Sequence, residues 1–258
     1  MDVTTLAAPP VRFNRLLPYW AVLQTDLRQT TQSWVYRLWV IVTVLGAGGS
    51  VAYKAGAHQL AGITQSASDR ASDLARGLGA AGLALVALLA VSAVGGERLT
   101  VADAVLSRGI SRRQYFLAKW HARLAVVLAT FAVLAGFVLV ANQVLLKGDL
   151  TLTGVGVGCL LVAAGLTVVV TWGVTIGALT NGTVLGITVF WLLIYGGLLA
   201  SSFLPESYPS PQRVLDSLRA VLRGLYDPDA VVRVLGTAAV LSGVAAVVGL
   251  VGFGRKDV

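Results

Sequence analysis

The chain has 258 residues, of which 56% are hydrophobic and only 12% are charged, and its formal net charge is +8. A soluble domain of average composition carries about 25% charged residues. The composition therefore argues against a soluble globular domain, a disordered protein and a nucleic-acid-binding domain, and it predicts an all-α, polytopic membrane protein.

More than half of the chain lies in five stretches without a charged residue, namely 38–53, 77–96, 124–146, 150–205 and 234–254. About 20 apolar residues of helix cross a hydrocarbon core. The fourth stretch is long enough for two helices, and the turn-forming residues 180–183 divide it. We therefore predict six transmembrane helices, at 34–53, 77–96, 120–146, 155–179, 184–203 and 234–254.

An even number of crossings places both ends of the chain on one side of the membrane. If the N-terminus is inside, the inner segments hold twelve of the 20 basic residues. Basic residues concentrate on the cytoplasmic side. We therefore predict a multi-pass protein of the cell (inner or plasma) membrane with both termini cytoplasmic. Residues 1–10 lack the basic and apolar pattern of a cleaved signal peptide.

The segment 13–33 predicts an amphipathic helix that lies along the membrane interface. Leu16, Trp20, Leu23 and Leu27 recur at helical spacing, and polar residues that include Asp26 occupy the other side. Two interpretations stay open: an anchor that sets the start of the first crossing, or a platform for a cytoplasmic partner.

The longest polar segment on the predicted inner side is the loop 97–119. Thr100 and Asp103 have the spacing of a helix start, Gly109 is typical of a helix end, and Ser111 can begin a second helix. A short helix surrounded by arginines suits docking on another protein. The alternative is a basic turn that only sets the topology.

The segment 201–233 should lie outside the cell. Ser210 and Pro211 are a typical N-cap and first position, and they predict an amphipathic helix at 211–225. This helix before the last crossing either covers an exit from the membrane or rests passively at the surface.

Residue types that carry chemistry are sparse. The single Cys159 and the separated His58 and His121 do not form a metal site, and no phosphate-binding G-x-x-x-x-G-K-[ST] sequence occurs. None of the predicted crossings has a charge near its middle, whereas ion-coupled transporters usually bury one. We expect no enzymatic activity, no cofactor bound by this chain and no energy source of its own.

The inner loop resembles that of type-2 ABC exporter permeases, the ABC-2 (type V) membrane family. The resemblance is carried by Glu97-Arg98, by the run from Leu106 to Arg112 and by the run from Tyr115 to Lys119. The ending 253–258 is similar to the aromatic and basic tail of that family. Val101-Ala102 stands where the family commonly has Gly-Thr, and Gly109 where it has Pro.

The resemblance implies one transmembrane permease domain over 1–258. Such a permease pairs as a homodimer or heterodimer in membrane lipid and works with a separate nucleotide-binding ATPase subunit that holds ATP and Mg. The loop would be the coupling helix that docks on this ATPase, and small residues such as Ala80, Gly154 and Gly158 would serve helix packing. The implied ATPase-coupling residues are Glu97, Arg98, Asp103, Ser107, Arg108, Gly109, Arg112 and Arg113.

Two functions from different classes follow. The first is a permease that forms the substrate pathway of an ATP-driven exporter; its Gly, Thr, Val and Leu lining would suit an amphipathic or lipid-like cargo. The alternative is a membrane scaffold that recruits a cytoplasmic partner and transports nothing.

Overall fold

A computed structural model describes residues 16–61, 66–95, 110–145, 149–180, 182–203, 205, 208 and 210–255. Within these residues the regular secondary structure is entirely α-helical. The helices are α1 (Leu17–Gln32), α2 (Trp34–Ala61), α3 (Ala67–Gly95), α4 (Arg112–Leu145), α5 (Leu152–Leu179), α6 (Thr183–Ser202), α7 (Pro211–Leu222) and α8 (Pro228–Arg255).

The long helices alternate in direction, so the bundle has two ends of different composition. At one end, called the α1 end, α1 packs on the start of α4, and Phe253 near the end of α8 packs on Tyr115. At the other, called the α7 end, Asp149 follows α4 and contacts both Ser68 at the start of α3 and Arg223 at the end of α7. α1 and the last turn of α8 therefore lie at the same end.

The core of the bundle forms around α5, which packs on α3 and α8 through small residues. A Cβ atom at Gly177 would collide with the backbone of Val91 in α3. A Cβ at Gly249 of α8 would lie 2.8 Å from the Thr175 hydroxyl group, which donates a hydrogen bond to the Ala245 carbonyl oxygen at 2.9 Å. Close backbone approach of this kind is typical of helix packing in membranes.

Four described helices are long and apolar enough to cross a membrane: α4 over Arg112–Ala141, α5, α6 over Thr183–Ser201, and α8. α3 would be a fifth if its two parts, which meet at an angle of 44°, form one span. The apolar part of α2, Trp34–Gly49, is shorter. The described part of the chain is thus an all-helical, membrane-embedded protein, as predicted, and the count of six crossings stays a prediction.

Candidate functional site

The predicted coupling residues fall around the start of α4. Arg112 and Arg113 form its first turn at the α1 end, where Arg113 is exposed and Arg112 is half-buried. The other predicted coupling residues lie outside the described residues: Glu97, Arg98, Asp103, Ser107, Arg108 and Gly109.

A reciprocal pair of hydrogen bonds fixes the start of α4. The Gln114 backbone N–H donates to Ser111 Oγ at 3.2 Å, and the Ser111 backbone N–H donates to Gln114 Oε1 at 3.3 Å. This is a capping box, which satisfies backbone donors that the helix itself leaves unpaired. The prediction that Ser111 begins a helix is confirmed, and the basic pair that follows it stands on an ordered helix end.

About two turns further into α4, a buried ionic cluster joins α4 to α1. Asp26 of α1 lies 3.0 Å from Lys119 Nζ and 3.5 Å from Arg123 Nε. The three side chains, called the Asp26 cluster, are exposed by only 2%, 3% and 7%, respectively. Buried charges of this kind must be paired because their desolvation is costly. The Asp26 carboxylate therefore holds two cations of α4 against α1.

Aromatic contacts extend this connection to α8. Lys119 Nζ lies 5.3 Å from the centre of the Tyr115 ring, which stacks on Phe253 with 6.0 Å between ring centres. On the other side of α4, the Tyr19 hydroxyl group is hydrogen-bonded to His121 Nδ1 at 3.0 Å. The start of α4 is thus packed between α1 and the end of α8, and the three elements form one unit.

The sequence patterns did not identify the Asp26 cluster. Helical spacing placed Asp26 on the polar side of an interfacial helix, whereas the structure buries it against α4 because two cations lie opposite. A signal was present: Asp26 is the only acidic residue between Asp2 and Asp69. Lys119 and Arg123, four residues apart, lie on one helix face. Neither fact says that the two segments meet.

At the α7 end, Arg223 connects three elements. Its Nε donates to Ser68 Oγ at 2.8 Å, its Nη2 donates to Ser66 Oγ at 3.0 Å, and it forms an ion pair with Asp149 at 2.6 Å. These four residues, called the α7 clamp, hold the end of α7 to the start of α3 and to the segment that follows α4. Arg223 and Asp149 are each exposed by about a third, at 32% and 33%.

The electrostatics of the α7 clamp favour the ionised carboxylate. Desolvation by burial raises the pKa of Asp149, but the opposing effects are larger together. These are the hydrogen bonds that the Ser68 hydroxyl group and backbone N–H donate, and the positive charge of Arg223. The pKa of Asp149 is therefore held below its ordinary value.

The body of α7 also packs closely on the bundle. Arg219 forms an ion pair with Asp69, and Arg76 with Asp216 at 3.1 Å. A Cβ at Gly154 of α5 would collide with the last carbonyl groups of α7, and Gly158 lies against side chains of the same helix. The prediction that these two glycines serve helix packing is confirmed within the chain.

The sequence also located the start of α7. The Ser210 hydroxyl group accepts a hydrogen bond from the Arg213 backbone N–H at 3.3 Å, and Pro211 occupies the first helical position. This confirms the predicted N-cap. The apolar side of the helix faces inward, where Leu218, Val221 and Leu222 are buried.

Beneath α7 lies an apolar cleft of about 180 Å³, called the α7 cavity. Its walls come from 71–86 of α3, 131–139 of α4 and 158–166 of α5, and Trp39 and Thr43 of α2 form a further side. Leu218 and Leu222 of α7 cover it. A predominantly apolar cleft of this kind suits a hydrocarbon group.

The described residues bring together no group of three or more His, Cys, Asp or Glu side chains that could hold a metal ion. The described arrangement suits the binding of a partner or ligand and the transmission of movement between helices. One end presents an exposed basic helix start on three helices packed together, and the other presents an apolar cleft beneath an amphipathic helix.

Comparisons with known proteins do not identify the chain. No protein-family model matches the sequence, and no curated protein matches it as a relative. The family resemblance therefore rests on the motifs in 97–119 and 253–258, and function has to be inferred from the two ends of the bundle.

Proposed function

We propose that the chain is the membrane-spanning permease subunit of an ATP-driven ABC exporter, which forms the substrate pathway and is moved by a separate ATPase subunit. The observation that carries the proposal is that Arg113, at an exposed basic helix start, lies on the same helix as Lys119 and Arg123 of the buried Asp26 cluster. A partner that binds at the start of α4 would displace α1 and α8 with it.

The physical basis is the resistance of the Asp26 cluster to separation. Separating the Asp26 carboxylate from Lys119 and Arg123 would remove an attraction that offsets the desolvation of these buried charges, which is strongly unfavourable. α1 and α4 therefore respond to a force as one body. Such rigid-body motion of helices against a neighbouring subunit is a common way to convert binding at one place into movement at another.

The topology proposed with this function has six crossings, with α2 and α3 as the first two. α2 has 28 residues, about 42 Å of helix, so its length suffices for a tilted crossing. The α1 end then faces the cytoplasm, in accord with the basic residues Arg112, Arg113 and Arg255 located there. The α7 end faces outward.

An external energy source fits the composition of the crossings. The stretches 124–146, 150–205 and 234–254 contain no charged residue. Proton- or ion-driven transporters usually bury an ionisable group in the membrane, whereas ATP bound to a partner supplies the energy without one. Pairing of two such permeases with two ATPase subunits completes the proposed exporter.

The test is purification of the tagged full-length chain from its native membrane, followed by identification of bound proteins and measurement of ATP hydrolysis in vesicles. We expect a P-loop ATPase in equimolar amount. Arg113→Glu should release it and lower the hydrolysis rate at least several-fold. Arg233→Glu is the matched control, because Arg233 is 57% exposed at the opposite end. The absence of a P-loop ATPase from the wild-type complex would contradict the proposal.

The exposed basic start of α4 fits a membrane scaffold as a second candidate function. A scaffold would retain a cytoplasmic partner through Arg113 in the same way. Its partner would not hydrolyse ATP, and the bound complex would move no amphipathic probe across a vesicle membrane when ATP is added. If the bound partner has no P-loop, the scaffold function would therefore be favoured over the exporter function.

A further inference from the structure

We propose that the α7 end holds one anionic phospholipid, with its phosphate group on Arg70 and one acyl chain in the α7 cavity. Arg70 lies in the first turn and a half of α3 and is only 6% exposed. Its Nε atom is buried without a hydrogen-bond partner, and its guanidinium forms no ion pair with any described residue. A guanidinium remains protonated at all relevant pH values, so burial does not neutralise it.

The carboxylates that pack around α7 already hold other cations. Asp149 is paired with Arg223 and accepts two hydrogen bonds from Ser68, and Asp69 is paired with Arg219. A buried cation without a counter-charge is strongly unfavourable. A ligand phosphate would remove this cost, and the planar guanidinium can bind two phosphate oxygens at once.

The position of Arg70 matches that of a lipid headgroup. It lies one helical turn before Leu74, which lines the α7 cavity. Side chains of a helix lean toward its N-terminus, so Arg70 extends away from the cavity and toward the α7 end, where polar headgroups begin. The charge and the apolar cleft therefore follow one another in the order in which a phospholipid carries its phosphate and its acyl chain.

The size and the walls of the α7 cavity suit a section of hydrocarbon chain. An apolar cavity of about 150 Å³ stays dry and takes up benzene. At about 180 Å³, the α7 cavity is slightly larger. Beside the lining residues of α4, Val133 and Phe137 are 70% and 68% exposed. The α4 wall thus continues onto the lipid-facing surface, and a chain can enter from the bilayer.

A lipid fits this cleft better than a protein segment does. A helix with its side chains is about 10–12 Å wide, and a cleft of about 180 Å³ is too small to hold a turn of such a helix. An extended segment would bring backbone polar groups to apolar walls that cannot pair with them. The lipid site requires only that the chain lies in a bilayer and does not require an ATPase partner.

The test of the headgroup uses the purified full-length chain in phosphatidylcholine vesicles with a trace of photoactivatable lipid, whose reactive group is near the end of the acyl chain. Phosphatidylglycerol of this kind should label residues 131–139 and 158–166. Arg70→Gln should reduce that labelling about ten-fold, the value of one charge-assisted hydrogen bond. Arg76→Gln is the matched control, since Arg76 is 44% exposed and already paired with Asp216.

The test of the acyl chain is independent of charge. Ala135→Phe fills the cavity and should abolish labelling of 158–166, whereas Ala132→Phe on the exposed side of α4 should not. Folding of each variant is checked by its melting temperature in detergent; Arg70→Gln removes a buried charge and should not lower it. Equal labelling by phosphatidylglycerol and phosphatidylcholine, or unchanged labelling in either Arg70→Gln or Ala135→Phe, would overturn the proposal.

Discussion

The two ends of the bundle carry ionic groups of the same types at very different depths. At the α1 end, Asp26, Lys119 and Arg123 are 2–7% exposed. At the α7 end, the paired residues are more open, from 26% for Asp69 to 73% for Asp216. Exposed ion pairs contribute little to stability, whereas a buried pair is costly to break. Because its charges are more deeply buried, we expect the ionic contacts of the α1 end to resist separation more strongly than those of the α7 end.

The α7 end compensates with steric fit. α7 lies on Gly154 so closely that its last carbonyl groups occupy the space of a side chain. Contacts of this kind fix the distance between two helices and do not depend on charged groups. One end is thus held mainly by buried electrostatics and the other mainly by close backbone packing, and the two can be perturbed separately.

The largest effect is expected for Asp26→Asn. This substitution removes the buried carboxylate that pairs with Lys119 and Arg123, and removal of one partner of a buried pair costs about 3–5 kcal/mol. Unfolding of the purified chain in detergent measures the change. Asp216→Asn, which breaks an exposed pair at the other end, should cost about 0–1 kcal/mol. Similar losses in both variants would contradict the contrast between the two ends.

A smaller loss is expected when the close packing of α7 is disturbed. Gly154→Ala places a methyl group against the Val221 and Leu222 carbonyl oxygens and should cost about 1–3 kcal/mol, as overpacking does. Gly156→Ala in the same helix meets open space and should be neutral or stabilising by about 1 kcal/mol, because alanine favours helix. Hydrogen exchange of the α7 amides should rise in the first variant only.

The sequence predicted those features that local patterns determine. Composition predicted an all-helical membrane protein, and the spacing of turn and cap residues predicted the helix starts at Ser111 and Ser210. The charge-free stretches found only the apolar parts of α3 and α4. α3 begins earlier, at Ala67, where Asp69 in its first turn pairs with Arg219 of α7. α4 begins at Arg112, directly after the Ser111 capping box.

The rest depends on contacts between distant segments. Asp26 and Lys119 are 93 residues apart, and no periodicity within either segment says that they meet. The α7 cavity needs five helices to form its walls, so no single stretch of sequence signals it. Of the predicted coupling residues, only Arg112 and Arg113 lie in the described part of the chain, and the ATPase-binding role stays a prediction.

The smallest effect is expected from acid at the α7 clamp. The pKa of Asp149 in the folded chain is below its ordinary value of 3.8, so folding favours the ionised carboxylate. Its stabilising contribution is fully present above that ordinary value and is lost as the pH falls through the lowered pKa. Because the Asp149–Arg223 pair is about one-third exposed, the loss should be about 1 kcal/mol or less.

Hydrogen exchange of the α7 amides, corrected for its intrinsic pH dependence, measures this loosening. Protection should stay constant from neutral pH down to the ordinary carboxyl range and then decrease. In Asp149→Asn it should be lower at neutral pH and should change less on acidification, since no carboxylate remains to be protonated there. The amides of α4 next to the Asp26 cluster serve as the internal reference. An identical pH profile in the wild type and in Asp149→Asn would show that acid acts on α7 through the other two ion pairs. The α7 clamp would then not contribute to the contrast between the two ends, and the close packing on Gly154 would be the main contact that holds α7 in place.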